Sequence, residues 1–231
     1  MISIIIPTYQ HGDSLKECLD AIYAQSYTDF EVIVVNDGST DNTANLLKEY
    51  KNPINAIYQE NSGANSARNR GYREAKGEYL LFCDADLIAN PEMLVKMKNA
   101  LKNNPEAAYS YCDFMWGIKA FKLFPFSAEE LKTKNYIHTT SLIRRELFPG
   151  FDESVERLQD WDLWLTMMES GRIGTYIPET LFTVKPRKSG MSGWLPSVAY
   201  KIPWKKLGIK IKRLETFREA EEIIRKKHSL N

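Results

Sequence analysis

The chain has 231 residues, and at about 150 residues per domain this fits one large α/β domain, alone or with an appendage, rather than two full enzyme domains. Hydrophobic residues make up 43% and charged residues 26%, with 12 Gly and 10 Pro, which supports an ordinary core and excludes disorder, fibre and collagen. Lys+Arg number 31 against 30 Asp+Glu, and a net charge of +1 is too balanced for the uniformly basic surface of a nucleic-acid binder.

The balance hides an asymmetry: from Lys185 onward 13 Lys/Arg stand against 4 Glu, which leaves the preceding part net acidic. Cys18, Cys83 and Cys112 are odd in number and widely spaced, with no CxxC, so the expectation is a reducing, cytoplasmic compartment without a disulfide frame. Met1 leads directly into an apolar run with no basic region or cleavage site, and no apolar stretch approaches 18 residues; a secreted or membrane-spanning chain is not expected.

In chain order, Ser3–Ile6 predicts a strand ended by Pro7, and Leu15, Cys18, Leu19 and Ile22 predict an amphipathic helix. Phe30–Val35 predicts the next strand, stopped at Asn36-Asp37-Gly38, with Ser39 or Asp41 as caps of the helix that follows. A third strand is expected at Ile54–Tyr58 and a third helix through Ala67, Gly71 and Ala75. Tyr79–Cys83 predicts a buried strand that ends in Asp84-Ala85-Asp86, before a helix that starts at Pro91. Four strands with crossover helices imply a mostly parallel sheet covered on both faces, an α/β fold. Beyond Ala107–Asp113 the sequence turns irregular and aromatic, which suggests a loop-rich lobe with a strand near Thr139–Ile143. A helix from Asp160 carries Trp161, Trp164, Leu165 and Met168 on one face with Gly171 beyond its end, and a strand follows at Tyr176–Val184. Phe217, Ala220 and Ile224 mark a last helix. The expected layout is a domain over 1–192, with a regular half (1–113) and an irregular, aromatic half (114–192), and a basic, partly helical extension over 193–231.

In an open α/β sheet, ligands bind beyond the carboxyl ends of the strands. Those ends carry Thr8-Tyr9, Asn36-Asp37, Glu60-Asn61 and Asp84-Ala85-Asp86, with neither GxGxxG nor GxxxxGK[ST], so dinucleotide and P-loop readings lose their support. Two carboxylates at i and i+2 past a buried strand suit magnesium or manganese, which keep positions open for phosphate oxygens. Short acidic pairs also occur in solvated loops, but a solvated pair leaves unexplained the apolar strand aimed at it.

Together Ile6-Pro7-Thr8-Tyr9, Val35–Asp41, Asn61-Ser62-Gly63 with Ala67–Gly71, Asp84-Ala85-Asp86, Gly150–Glu153 and Gln159–Trp164 resemble glycosyltransferase family 2 with the GT-A fold, over residues 2 to about 192. The resemblance implies an inverting transfer of a sugar, usually from a UDP-linked donor, to a hydroxyl acceptor, assisted by a divalent cation, manganese or magnesium. It implies that Pro7, Tyr9, Asp37, Arg68, Asp84 and Ala85 line the nucleotide-sugar site, with Tyr9 near the base, Asp37 accepting from the base amide and Asp84 by the ribose. Asp86 would bind the metal. Asp160 would be the base that takes the acceptor proton, with Asp162 as its rival. Tyr9 as a half-buried core aromatic, Asp37 as a turn residue, Arg68 as a solvated charge, and Asp160 and Asp162 as dipole-stabilising acids remain open alternatives.

Two departures from the family pattern stand out. Gln159 replaces the usual Glu before the base. Lys185 stands where relatives often carry a His as third metal ligand, and a protonated Lys cannot ligate a cation; either the metal rests on Asp86, water and diphosphate alone, or Lys185 or Arg187 itself neutralises diphosphate charge, while His138 is open as a further ligand or as a structural or acceptor-side residue. His11 and His228 give no signal. Trp194, Tyr200 and Trp204 interleave with Lys201, Lys205, Lys206 and Lys210, a pattern that fits either packing on the domain with solvated lysines or rest on an anionic bilayer. The resemblance favours keeping the second option, because many relatives serve polysaccharide or glycolipid assembly on lipid-linked acceptors at the cytoplasmic face. The competing functions are a sugar nucleotidyltransferase, which should show a Gly-rich basic loop after the first strand, and a non-catalytic nucleotide-sugar-binding module.

Overall fold

The computed structural model describes residues 1–186 and 212–230. Its elements are β1 (Ile2–Thr8), α1 (Leu15–Tyr23), β2 (Phe30–Asp37), α2 (Thr43–Glu49), β3 (Asn55–Gln59), α3 (Ala64–Glu74), β4 (Tyr79–Phe82), β5 (Leu87–Ala89), α4 (Met93–Asn103), β6 (Ala107–Trp116), β7 (Lys119–Phe121), α5 (Ala128–Thr133), β8 (Leu142–Arg144), α6 (Gln159–Glu169), β9 (Ile173–Val184) and α7 (Lys212–Lys227). Nine strands form one sheet in the order β3-β2-β1-β4-β8-β6-β9-β5, with β7 paired to β6. The first four are parallel, as the alternation of strands and helices implies. Past β4 the sheet is mixed: β8 runs antiparallel to β4 and β6, β9 is parallel to β6, and β5 is antiparallel to β9.

The period of two in β1 and β2 divides the core into two layers. Ile4, Ile6, Val32 and Val34 pack with Leu19 and Ile22 of α1 and Leu94 and Met97 of α4. Ile5, Ile33 and Val35 face the other way, onto Ala67 of α3, Trp161 and Trp164 of α6 and Ile224 of α7. Helices thus cover both faces.

Several boundaries differ from the sequence expectation for physical reasons. β1 runs through Pro7 to Thr8. The Ile5 carbonyl accepts from Cys83 N, so alternation turns Pro7 to the same side, where β4 has already ended at Phe82 and no ladder partner is lost. α2 begins at Thr43, after Ser39 and Asp41; Asp41 Oδ1 accepts from Thr43 N at 3.1 Å, while Ser39 Oγ accepts from Gln10 N at 3.0 Å. α4 starts at Met93 rather than Pro91, because Asp84–Ala89 first makes a turn and the short strand β5. The aromatic stretch after Asp113 is more regular than a loop: β6 continues to Trp116 and folds back as β7, and Phe121, Phe114 and Phe182 stack at 4.8 and 5.3 Å. The residues from 194 to 211, on which the two readings of the basic tail depend, lie outside the described residues, as does Arg187. No described helix is long and apolar enough to cross a membrane.

Gly71 marks the closest approach of α3 to the sheet. A Cβ there would lie 2.5 Å from Ile5 Cγ2, and the β-branched Ile5 has little room to turn aside within its strand. Gly71→Ala should therefore destabilise the fold by about 1–3 kcal/mol, the usual cost of overpacking, despite alanine's better helix propensity. Urea unfolding of the variant checks this; an unchanged midpoint would mean that α3 can move away from β1 freely.

Candidate functional site

The strand ends are tied together by loop hydrogen bonds. Gln10, with φ of 57°, accepts from Thr40 N and Asp41 N through Oε1, clipping the β1 loop to the β2 loop. Gly38, with φ of 73°, lies so near Asn61 that a Cβ would meet the Asn61 nitrogen at 2.8 Å, which explains a glycine at this turn. Asp37 is buried, and its carboxylate accepts from Gln59 Nε2 (2.8 Å), Ser62 N (2.8 Å) and Gly63 N (2.9 Å). Asp37 therefore organises the approach to α3, and with three of about four lone-pair positions filled it retains room for roughly one further donor. Tyr9 is 46% exposed, so the alternative of a core aromatic does not hold.

β4 ends at Phe82 and the chain turns sharply, with Leu87 N donating to Asp84 O at 3.1 Å and Lys185 N donating to Asp86 O at 2.9 Å. Ala85 is buried, which holds the turn down between its two acidic neighbours. Behind it, the buried Cys18 thiol lies 3.5 Å from Asp84 O and 3.8 Å from Cys83 Sγ.

Arg68 is the centre of the arrangement, and it is buried rather than a solvated helix charge. Its NH2 donates to Asp84 Oδ1 at 3.1 Å, its NH1 to Asn65 Oδ1 at 3.2 Å and Gln159 Oε1 at 3.1 Å, and its guanidinium lies 5.3 Å from the Phe151 ring centre. Burial disfavours the charge on Asp84, yet Arg68, with lesser help from His138, holds its carboxyl below the usual range. Asn65 donates to the Asp152 and Val155 carbonyls, and Asn69 both donates to Phe151 O and accepts from Phe151 N. One face of α3 thereby gathers the Asp84 turn, the Gly150–Glu153 loop and the start of α6. Sequence reasoning passed over Asn65 and Asn69, although their i, i+4 spacing about Arg68 puts all three on one helix face.

Asp160 sits in the first turn of α6, partly open, with Oδ1 accepting from Trp161 N at 3.0 Å. Asp162 lies about 200° around the helix and is buried against α7, where it accepts from Lys227 and His228. His138 is packed between Phe114 and Phe182, and its Nε2 lies 4.0 Å from Asp84 Oδ2. Burial lowers its pKa, while the charges of Asp84 and Asp160 oppose that shift. Because His138 Nδ1 accepts from Thr140 N at 3.0 Å, a neutral ring carries its proton on Nε2 and turns a donor, not a metal lone pair, toward Asp84. Lys185 is ion-paired with Glu17 of α1. Among the described residues no group of three or more His, Cys, Asp or Glu side chains could hold a metal ion. A lone carboxylate such as Asp86, at the turn after β4, fits only a hard cation that takes most of its ligands from phosphate oxygens and water.

A parallel β3-β2-β1-β4 half joined to a mixed half, with an acidic turn at the junction, defines a GT-A fold. The chain belongs to glycosyl transferase family 2, whose sequence pattern matches residues 3–150. An uncharacterized glycosyltransferase of Rickettsia typhi is 33% identical over 186 residues, which cover 73% of this chain and 58% of that protein. The uncharacterized glycosyltransferase YibD of Escherichia coli K12 is 38% identical over 117 residues, 49% of this chain and 34% of that protein. The match thus covers less than two thirds of either relative. Among solved structures, Staphylococcus aureus TarS 1–349 in complex with UDP-GlcNAc aligns with a TM-score of 0.69 at 20% identity, covering 97% of this chain and 70% of that one. Mannosyltransferase PcManGT from Pyrobaculum calidifontis, in complex with GDP-Man and Mn2+, aligns with a TM-score of 0.65 at 23% identity, over 82% and 58% of the two chains. At these identities the likeness is one of fold.

Arg68→Met should leave Asp84 without its cation and Gln159 without its donor; because both are part-buried and water can reach them, the cost should be about 1 kcal/mol each, the low end for an orphaned group. Since Asp84 is ionised below the usual range only with Arg68 present, the loss should be full at pH 7 and shrink as the pH falls and Asp84 protonates. Urea titrations of both proteins at pH 7 and at about pH 3, below the ordinary carboxylate value, test the sign; a gap that widens in acid would refute the assignment.

Proposed function

We propose that this chain is an inverting glycosyltransferase that moves a sugar from a nucleoside diphosphate donor to a hydroxyl acceptor. The observation that carries the reading is the Asp84–Arg68–Gln159 bridge, which ties the acidic turn after β4 to the first turn of α6. In this reading the bridge holds the acidic turn and the start of α6 together, with the acidic pair on the diphosphate side of the donor and Asp160 on the opposite side, as an inverting displacement requires. Membership of family 2 supports the reaction class, and the UDP-GlcNAc and GDP-Man held by TarS and PcManGT support a nucleotide-sugar donor.

In this reading Tyr9, exposed beside Pro7, stacks against the base, and Asp37 takes the base amide on its remaining lone pair. Arg68 keeps Asp84 ionised next to the ribose, and Ala85 keeps the turn close to the backbone behind it. Asp86, with diphosphate oxygens and water, would hold the divalent cation, manganese or magnesium; when bound, the cation offsets charge on the leaving diphosphate. Asp160 removes the acceptor proton as the hydroxyl oxygen attacks the anomeric carbon from the face opposite the diphosphate. Gln159 can perform its bridging role without charge, since it needs only an amide oxygen to accept from Arg68. The donor half is 1–113 and the acceptor half 114–192, and the acceptor remains a carbohydrate or lipid-linked sugar. A thermal-shift series with UDP- and GDP-sugars, with and without manganese, identifies the donor, because a ligand that binds only the folded state raises the melting temperature.

Asp86→Ala should abolish manganese-dependent donor binding, whereas Asp84→Ala should weaken nucleotide binding with less effect on metal affinity. Calorimetry with UDP and manganese decides, and unchanged affinities in Asp86→Ala would sink the metal assignment. Asp160→Asn should leave donor affinity nearly intact and lower turnover by roughly 100-fold or more, the scale of general-base catalysis. Asp162→Asn should cost less catalytically, because its carboxylate faces α7. Reversed effects on turnover would exchange the two roles.

A further inference from the structure

The region behind α6 holds more charge than packing requires. α7 buries Ile224 in the same core layer as Trp161, and Arg225 lies 5.7 Å over the Trp161 ring. At its C-terminal end Lys227 Nζ reaches Asp152 Oδ2 at 2.6 Å and Asp162 Oδ1 at 2.7 Å. His228 places Nε2 2.8 Å from Asp162 Oδ1 and Nδ1 2.9 Å from Glu169 Oε1. These groups line a cavity of about 380 Å³ together with Phe151. The His228 and Asp162 side chains are 2% and 5% exposed, so solvent screens their pairing little.

The front of the same helix has little of its own to steady it. α6 starts from Leu158, a non-glycine residue with φ of 56°, and has no side-chain cap. Asp160 is in that first turn, one residue from the Gln159 bond to Arg68 and two from Asp162. α6 is therefore gripped at its start from both sides, by α3 in front and by α7 behind.

We propose that Lys227 and His228 are positioning residues for the transfer: by closing over Asp162, Glu169 and Asp152 they fix the rotation of α6 at which Asp160 meets the acceptor hydroxyl. The proposal rests on Asp160 as the base, and it gives the C-terminal helix, which lies beyond the stretch matched to the family, a part in turnover. Both ring nitrogens of His228 face carboxylates, so the ring serves both only as imidazolium. The charged groups facing it are Asp162 and Glu169 from α6 and Lys227 beside it, with Asp152 beyond Lys227. Burial alone would lower its pKa, but the two carboxylates raise it above the ordinary value. A group raised on folding contributes fully below its unfolded pKa, and the contribution is lost as pH rises through the folded value, so the clamp should weaken in alkali.

The test uses the full chain with His228→Gln and Lys227→Met combined, and Lys227→Arg as the conservative control. In the double variant, hydrogen exchange at amides 162–167 should quicken and turnover should fall about tenfold, the scale of one lost charge-assisted hydrogen bond. UDP affinity should be unchanged, Lys227→Arg should behave as the parent, and the parent's alkaline loss of turnover that tracks His228 should vanish in the double variant. Quicker exchange with parental turnover would overturn the positioning role, and parental exchange would overturn the clamp itself. If Asp160→Asn keeps parental turnover, the base assignment fails instead; the exchange readout, which needs no activity, then still decides whether α7 holds α6.

Discussion

The junction of β4, α3 and α6 depends on one buried guanidinium. Arg68 is brought into a site where water cannot solvate it, and a charge in that position is tolerated only when it is paired and hydrogen-bonded. Asp84, Asn65, Gln159 and the ring of Phe151 meet that demand, and each comes from a different part of the chain or a different turn of α3. Among the described residues its Nε lacks a partner, so the pairing is not optimal for stability. What it secures is arrangement: no displacement of β4's end, α3 or α6 leaves the charge satisfied.

The second constraint is where the sheet changes direction. β4 is the last of four parallel strands, and the chain leaves the plane at Asp84 because the next strand in space, β8, runs the opposite way and pairs no further than Tyr79–Leu81. The acidic turn sits in the gap this opens. β5 and the end of β9 close the gap from the far side, through the Lys185 to Asp86 backbone bond. Long-range pairing thus aims the carboxylates, which local sequence preference could not do.

This explains what could be read from the sequence. The parallel half is legible because each βα unit repeats the same code, an apolar run, a turn residue at its end and a helix-period face, and none of it needs distant partners. Arg68, Asp84 and Asp160 could be singled out from their motifs, but not the bond that links them, since its members are far apart in sequence. β5 and β7 are three-residue strands, too short for a period to register, and they exist because β9 and β6 supply their partners. Pro7 misled because its missing N–H costs nothing on a side where no strand lies. His228 gave no sign at all: next to the chain's end, among lysines, only the fold reveals that two carboxylates face it.

The three thiols have a consequence of a different kind. Cys18, Cys83 and Cys112 are all buried, and Cys83, whose pKa is raised first by its contact with Cys18 and then by burial, is held as the unreactive thiol. A soluble alkylating reagent therefore reaches the pair behind Asp84 only when α1 and β4 part. The labelling rate in native buffer counts those partings, and its slowing on addition of a nucleotide would measure, with no acceptor or turnover needed, how firmly an occupied cleft shuts the floor beneath it.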